Sequence, residues 1–133
     1  MKYILMMQFA QAEWKAFRME LWPAQDIKAH MDYLGRMIQE LSEAGEMVVT
    51  EGLKGPEEAV FVRAKQDGSA AVTDGPFPEA KEFLVGYLVV DVASAQRAHE
   101  VAARWSAGPG PGGKPMNLPV EVRPVMQHPP GDA

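Results

Sequence analysis

The chain has 133 residues, 47% of them hydrophobic and 23% charged, with a formal net charge of −5 and no cysteine. That length suits one domain with one core. The acidic balance, without any basic cluster, excludes a nucleic-acid partner, and the missing cysteines exclude disulfides, thiol nucleophiles and thiolate metal sites.

The N-terminal run Met1 to Phe9 is too short to span a bilayer and lacks a small-residue cleavage site, so the expectation is a cytoplasmic protein with no membrane partner. Lys2 to Phe9 reads as a strand that is apolar on both alternating faces: Tyr3, Leu5, Met7 and Phe9 on one, Ile4 and Met6 on the other. Such a strand must be covered on both sides. Residues 10–21 form a mixed connection, with a short helical turn expected around Trp14 to Met19. Trp22-Pro23 then opens a helix, with Pro at a favourable first position. Asp26 stands near the end of that helix where the dipole favours negative charge. Ile27, Met31, Leu34, Ile38 and Leu41 recur at helical spacing, and Met37 widens the stripe. Leu34 is expected at its centre, so Leu34→Ala should cost roughly 2–5 kcal/mol. Gly45 is the stop signal.

Glu46 to Glu51 reads as a short strand. Ala59 to Ala64 and Ala70 to Thr73 read as the arms of a hairpin, turned through Asp67-Gly68. Asp74-Gly75-Pro76 is turn chemistry. Phe83 to Val92 is the longest strand, with Phe83, Val85, Tyr87 and Val89 expected on one face and Leu84, Leu88, Val90 and Val92 on the other. Gly86 within it signals a bulge or a close backbone approach. Ser94 caps a second helix ending near Trp105, with a stripe of Ala95, Ala98, Ala102 and Trp105 small enough to lie close to the sheet. Residues 106–119 are rich in Gly and Pro and read as a loop. Val120 to Met126 is a final strand that Pro124 assigns to a sheet edge. The domain is expected to span residues 1–127, with 128–133 a loose tail.

The order is β, α, short β, hairpin, β, α, β, which is an α+β sandwich. Two crossover helices cover one face of the sheet only. Two strands are apolar on both faces, so the bare face calls for a second copy of the chain, a homodimer.

The stretch Thr73-Asp74-Gly75-Pro76-Phe77-Pro78-Glu79-Ala80-Lys81-Glu82, followed by a Gly-containing apolar strand, resembles the DGPF subgroup of the YCII-related proteins. Further matches lie at Glu51 to Leu53 (EGL), Gly86 to Val92 (GYLVVDV) and Val120 to Val125 (VEVRPV). They follow the family's order over nearly the whole chain. The resemblance implies a ferredoxin-like α+β sandwich that pairs through its sheets into a dimeric α/β barrel.

His30 lies between Ile27 and Leu34 on the apolar side of the first helix. Read alone, it is a satisfied histidine at the core margin. The resemblance implies instead a His–Asp pair, here His30 with Asp74, in which an imidazole exchanges a proton and a carboxylate holds its tautomer. Asp74 reads equally as a turn former. Phe77 and Tyr87 are candidate walls of an apolar cleft, Lys81 a candidate anion contact and Arg123 a candidate lining residue, each set against a plain packing or salt-bridge role. His99 and His128 form no metal constellation with His30, so neither a metal nor any other cofactor is expected. No phosphate loop, nucleotide fingerprint or Ser–His–Asp signature is present. Two functions stay open. One is a cofactor-free acid/base enzyme acting on a small organic molecule. The other is a non-catalytic ligand-binding or regulatory module, as the coupling of some DGPF relatives to extracytoplasmic-function sigma factors implies.

Overall fold

A computed structural model of the chain describes residues 1–75 and 81–127. Strand β1 (Lys2–Ala10) leads into a short 3₁₀ turn, a single helical turn α1 (Trp14–Phe17) and a second 3₁₀ turn (Met19–Leu21). Helix α2 (Ala24–Glu43) follows, then β2 (Met47–Gly52), β3 (Val60–Ala64), β4 (Ala70–Asp74), β5 (Glu82–Asp91), α3 (Ala95–Ser106) and β6 (Val120–Pro124). The main sheet is antiparallel, in the order β2-β5-β1-β6, and β3 and β4 form a separate hairpin. This is an antiparallel α+β arrangement compatible with a ferredoxin-like fold. β6 is an edge strand, where Pro124 removes no needed donor.

The helix boundaries follow from local chemistry. Pro23 precedes α2 and its carbonyl accepts from Asp26 N–H at 2.9 Å. At the other end Gly45 takes φ 72°, and Glu46 N–H reaches back to Leu41 O at 2.8 Å, closing the helix in a left-handed glycine cap. Ser94 Oγ accepts from Arg97 N–H at 3.1 Å and caps α3. In the hairpin turn Gly68 takes φ 86° and Asp67 Oδ1 accepts from Ser69 N–H, the turn that Asp67-Gly68 predicts.

The core lies between the helices and one face of the sheet. Leu5, Met37, Leu41, Leu88 and Val90 are its fully buried centre. Expectations about facing are corrected, first on the two helices. The buried spine of α2 runs Asp26, His30, Met37 and Leu41, whereas Met31 is 53% exposed and Leu34 is only partly buried. A stripe picked by hydrophobicity alone is rotated away from this spine, because two polar side chains with partners in a neighbouring loop occupy its N-terminal half. On α3 the buried row is Ala98, Val101, Ala102 and Trp105, with Val101 in place of Ala95.

The second correction concerns β5. Its register against β1 shifts between Met7 and Gln8, so that Met7 faces Gly86 but Gln8 faces Leu84. The extra residue in β5 turns Phe83 over. It joins Phe9 on the helix side, with ring centroids 6.3 Å apart, rather than sharing a face with Tyr87 and Val89. Gly86 sits at this irregularity, and a Cβ there would lie 3.1 Å from Glu51 O and 3.8 Å from Trp105 Cζ2. The close approach expected of Gly86 is therefore real, and it floors the cavity described next.

Candidate functional site

A cavity of about 730 Å³ opens between α2 and the helix-facing side of the sheet. Its wall is largely apolar, and its aromatic side comes from the connection between β1 and α2. Phe83, Trp14, Phe9, Phe17, Trp22 and His30 form a chain of neighbouring rings, with successive centroids 5.1, 5.9, 5.2, 5.9 and 5.5 Å apart. Of these, Phe9, Trp14, Phe17, Trp22 and His30 line the cavity. Trp14 and Phe17 reach the same side because they lie three residues apart on one helical turn. Trp22 is held by its Nε1–H donating to Phe17 O at 3.2 Å.

His30 is 8% exposed. Its Nδ1 lies 3.0 Å from the carbonyl oxygen of Pro109. A carbonyl accepts only, so in the neutral ring Nδ1 carries the proton and Nε2 presents a lone pair. Among the described residues Nε2 has no hydrogen-bond partner, and the ring stands on the cavity wall.

One helical turn earlier, Asp26 is 9% exposed and its Oδ2 accepts from Gly112 N–H at 3.0 Å. Asp26 and His30 thus clamp one Gly/Pro loop to α2 by two bonds. Gly112 takes φ 71°, a conformation open to glycine and strained for other residues, which points its N–H at Asp26. Tyr33 extends the same edge: its hydroxyl donates to Arg104 O at 2.6 Å. The loop is ordered by these bonds, and its Met116 and Leu118 complete the cavity wall.

The other candidates stand elsewhere. Asp74 is the last residue of β4, paired with Val60, and its side chain is exposed and makes no hydrogen bond among the described residues. It is not on the cavity wall, and no hydrogen bond joins it to His30. Gly75 does not take a left-handed φ; its N–H donates to Ala59 O, and a Cβ would strike the Phe61 ring at 2.3 Å, so it is glycine for space. Lys81 is exposed beside β5, its carbonyl accepting from Gln11 N–H. Tyr87 and Arg123 lie on the sheet face away from the helices, level with Met6 and Ile4, and Arg123 approaches Glu121 at 3.7 Å. None of the three lines the cavity. Phe77 and the tail 128–133 lie outside the described residues.

What sequence reasoning missed is the role of Trp14, Phe17, Trp22 and Asp26. The available signal was the density of aromatics between residues 14 and 22 and the i, i+4 spacing of Asp26 and His30. Among the described residues, no group of three His, Cys, Asp or Glu is placed to hold a metal ion, and no helix is long and apolar enough to cross a membrane.

Comparison with known proteins matches residues 1–109 to the YCII-related domain. An uncharacterised protein of Rhizobium meliloti is 31% identical over 112 residues, covering 84% of this chain and 85% of that protein.

Proposed function

The chain belongs to the YCII-related domain family, and on that premise we propose that it holds a small, largely apolar organic molecule in the cavity beneath α2, with His30 as the proton acceptor of a cofactor-free acid/base site. The observation that carries this reading is the state of His30. Its Nδ1 is fixed to Pro109 O, and its Nε2 has no partner among the described residues while the ring stands on the wall of a largely apolar, aromatic cavity. A substrate X–H placed there would give its proton to Nε2. The resulting imidazolium would keep its Nδ1–H on the carbonyl, a bond that strengthens when the donor is charged. The cavity volume falls within the ordinary range for small-molecule sites, about 300–1,000 Å³.

The placement of Asp74 supports a second reading. A site holding His30 without its carboxylate partner suits a non-catalytic ligand-binding or regulatory module, such as one acting beside a sigma factor. The DGPF assignment and a cytoplasmic setting belong to both readings, and a His30–Asp74 pair would belong to the acid/base one alone. Both readings also include a homodimer closed through the outer sheet face into an α/β barrel, supported by the apolar Ile4, Met6, Tyr87 and Val89 there.

The test uses phenethyl alcohol as probe and the fluorescence of the cavity tryptophans as readout. His30→Asn keeps a nitrogen donor for Pro109 O and deletes Nε2. It should weaken binding about five-fold, one neutral hydrogen bond. Diethyl pyrocarbonate should modify His30 in the free protein and be blocked by the probe. No binding by the unaltered chain, or binding that leaves His30 equally reactive, would defeat the cavity reading. Protection of His30 that Asp74→Asn leaves unchanged would remove Asp74 from the site.

A further inference from the structure

Apart from the exposed Lys54, the side-chain polar groups left open on this cavity wall accept hydrogen bonds, and the indole and hydroxyl donors are engaged. Trp14 Nε1–H is taken by Glu57 Oε2 at 3.1 Å, and Trp22 Nε1–H by Phe17 O. Thr50 Oγ donates to Tyr87 O at 3.1 Å, so towards the cavity it offers lone pairs only. Lys54 Nζ lies 3.8 Å from Glu58 Oε1. Inside, the nine-tenths-buried His30 presents its unpartnered Nε2.

The mouth has the same bias. The charged residues lining the cavity are Glu20, Glu51, Glu57 and Glu58 against Lys54 alone. Lys54 is matched with Glu58, and Glu20 lies 3.7 Å from Arg18 Nε. Glu51 and Glu57 have no cation beside them among the described residues. Glu57 is exposed, and its Oε2 accepts from the Trp14 indole N–H at 3.1 Å, which ties it to the edge of the aromatic wall. A carboxylate fixed at the rim of a set of aromatic faces is what an organic cation requires, since ring quadrupole and carboxylate both attract positive charge.

We propose that the ligand of this cavity is an organic amine, an apolar or aromatic body carrying a protonated, hydrogen-bond-donating nitrogen that sits over the Trp14 ring face and beside the Glu57 carboxylate. Organic carboxylates and phosphates are disfavoured by the same groups. The inference rests on the cavity reading above and adds the class of molecule to it.

Phenethylamine, phenethyl alcohol and phenylacetate share one aromatic body and differ in charge. Their binding to the full chain near neutral pH and at about 20 mM salt, where screening is weak, is read from tryptophan fluorescence. Phenethylamine should bind about five-fold tighter than the alcohol and about twenty-fold tighter than phenylacetate, the scale of one or two charge contacts in a water-like dielectric at an exposed rim. Glu57→Gln keeps an oxygen acceptor for Trp14 and removes the charge. It should shrink the amine's advantage over the alcohol to about two-fold. Phenylacetate binding as tightly as the amine, or an amine preference that survives Glu57→Gln, overturns the proposal. If the alcohol binds and the amine gains nothing, the ligand class is wrong and the cavity reading stands. If none of the three binds, both fall.

Discussion

Asp26→Ala should destabilise the protein by roughly 2–3 kcal/mol. Asp26 is 9% exposed and its Oδ2 accepts from Gly112 N–H at 3.0 Å. A hydrogen bond to a charged group contributes about 1.5–3 kcal/mol, towards the lower end here because Gly112 is exposed and water can take its N–H when the acceptor is gone. Loss of a negative charge in the first turn of α2 adds about 0.3–1 kcal/mol. Part of this is offset, because the variant no longer has to bury a carboxylate. Asp26→Asn keeps an acceptor oxygen and shape, so it should cost only about 1 kcal/mol. Urea denaturation gives the stabilities. Amide hydrogen exchange supplies the local readout: Gly112 should exchange at least about ten-fold faster in Asp26→Ala, the equivalent of about 1.4 kcal/mol of local opening. A loss below about half a kilocalorie, usual for a surface change, with unaltered Gly112 exchange, would refute the claim that Asp26 clamps the loop.

Three further outcomes follow from the packing. Leu41→Ala should cost roughly 2–5 kcal/mol because Leu41 is wholly buried. Leu34→Ala should cost about half as much, since Leu34 lines the existing cavity and its truncation enlarges a space already open; equal losses in urea melts would contradict this. Arg97 Nε and Nη2 donate to the two Glu46 oxygens at 3.0 and 2.9 Å, joining α3 to the start of β2. This hydrogen bonding, and then the guanidinium charge, hold the Glu46 carboxyl below its ordinary value of 4.5, against the opposing effect of burial. A depressed carboxyl contributes stability above the unfolded value and loses it as pH falls through the folded one. Arg97→Met should therefore cost about 1 kcal/mol at neutral pH, a discounted figure for a side chain 39% exposed. The difference from the parent chain should vanish in melts well below pH 4.5, and a difference that persists there would place the effect in packing. Val89→Lys puts a charge on the outer sheet face and should convert the proposed dimer to a monomer by light scattering; a dimer mass for the variant would move the interface elsewhere.

The element order and type were legible in the residues. Short runs apolar on both faces marked β1 and β5, helical spacing marked α2, and Gly45, Ser94 and Asp67-Gly68 marked a stop, a cap and a turn, because those signals act over a few residues through the backbone itself. Gly86 even announced its close approach. His30 was recognisable as a candidate, since its place on the inner side of α2 needs only the period of a helix.

What the chain's own order does not contain is which loop meets which helix. The Gly/Pro segment 106–119 is remote in the chain, yet it supplies Gly112 N–H to Asp26 across 86 residues and Pro109 O to His30 across 79. That meeting rotates the buried spine of α2 towards polar residues, an outcome hidden from a count of apolar positions. The facing of Phe83 was likewise set by a register shift between two strands, and a one-residue shift exchanges the two faces of a strand while leaving its sequence pattern intact. The aromatic wall needs β1, the turn at Trp14, Trp22 and β5 to converge. Local signals therefore determined the segments and one side chain of the site, and only the tertiary packing decided that this side chain would face a cavity, bonded to a carbonyl on one nitrogen and open on the other.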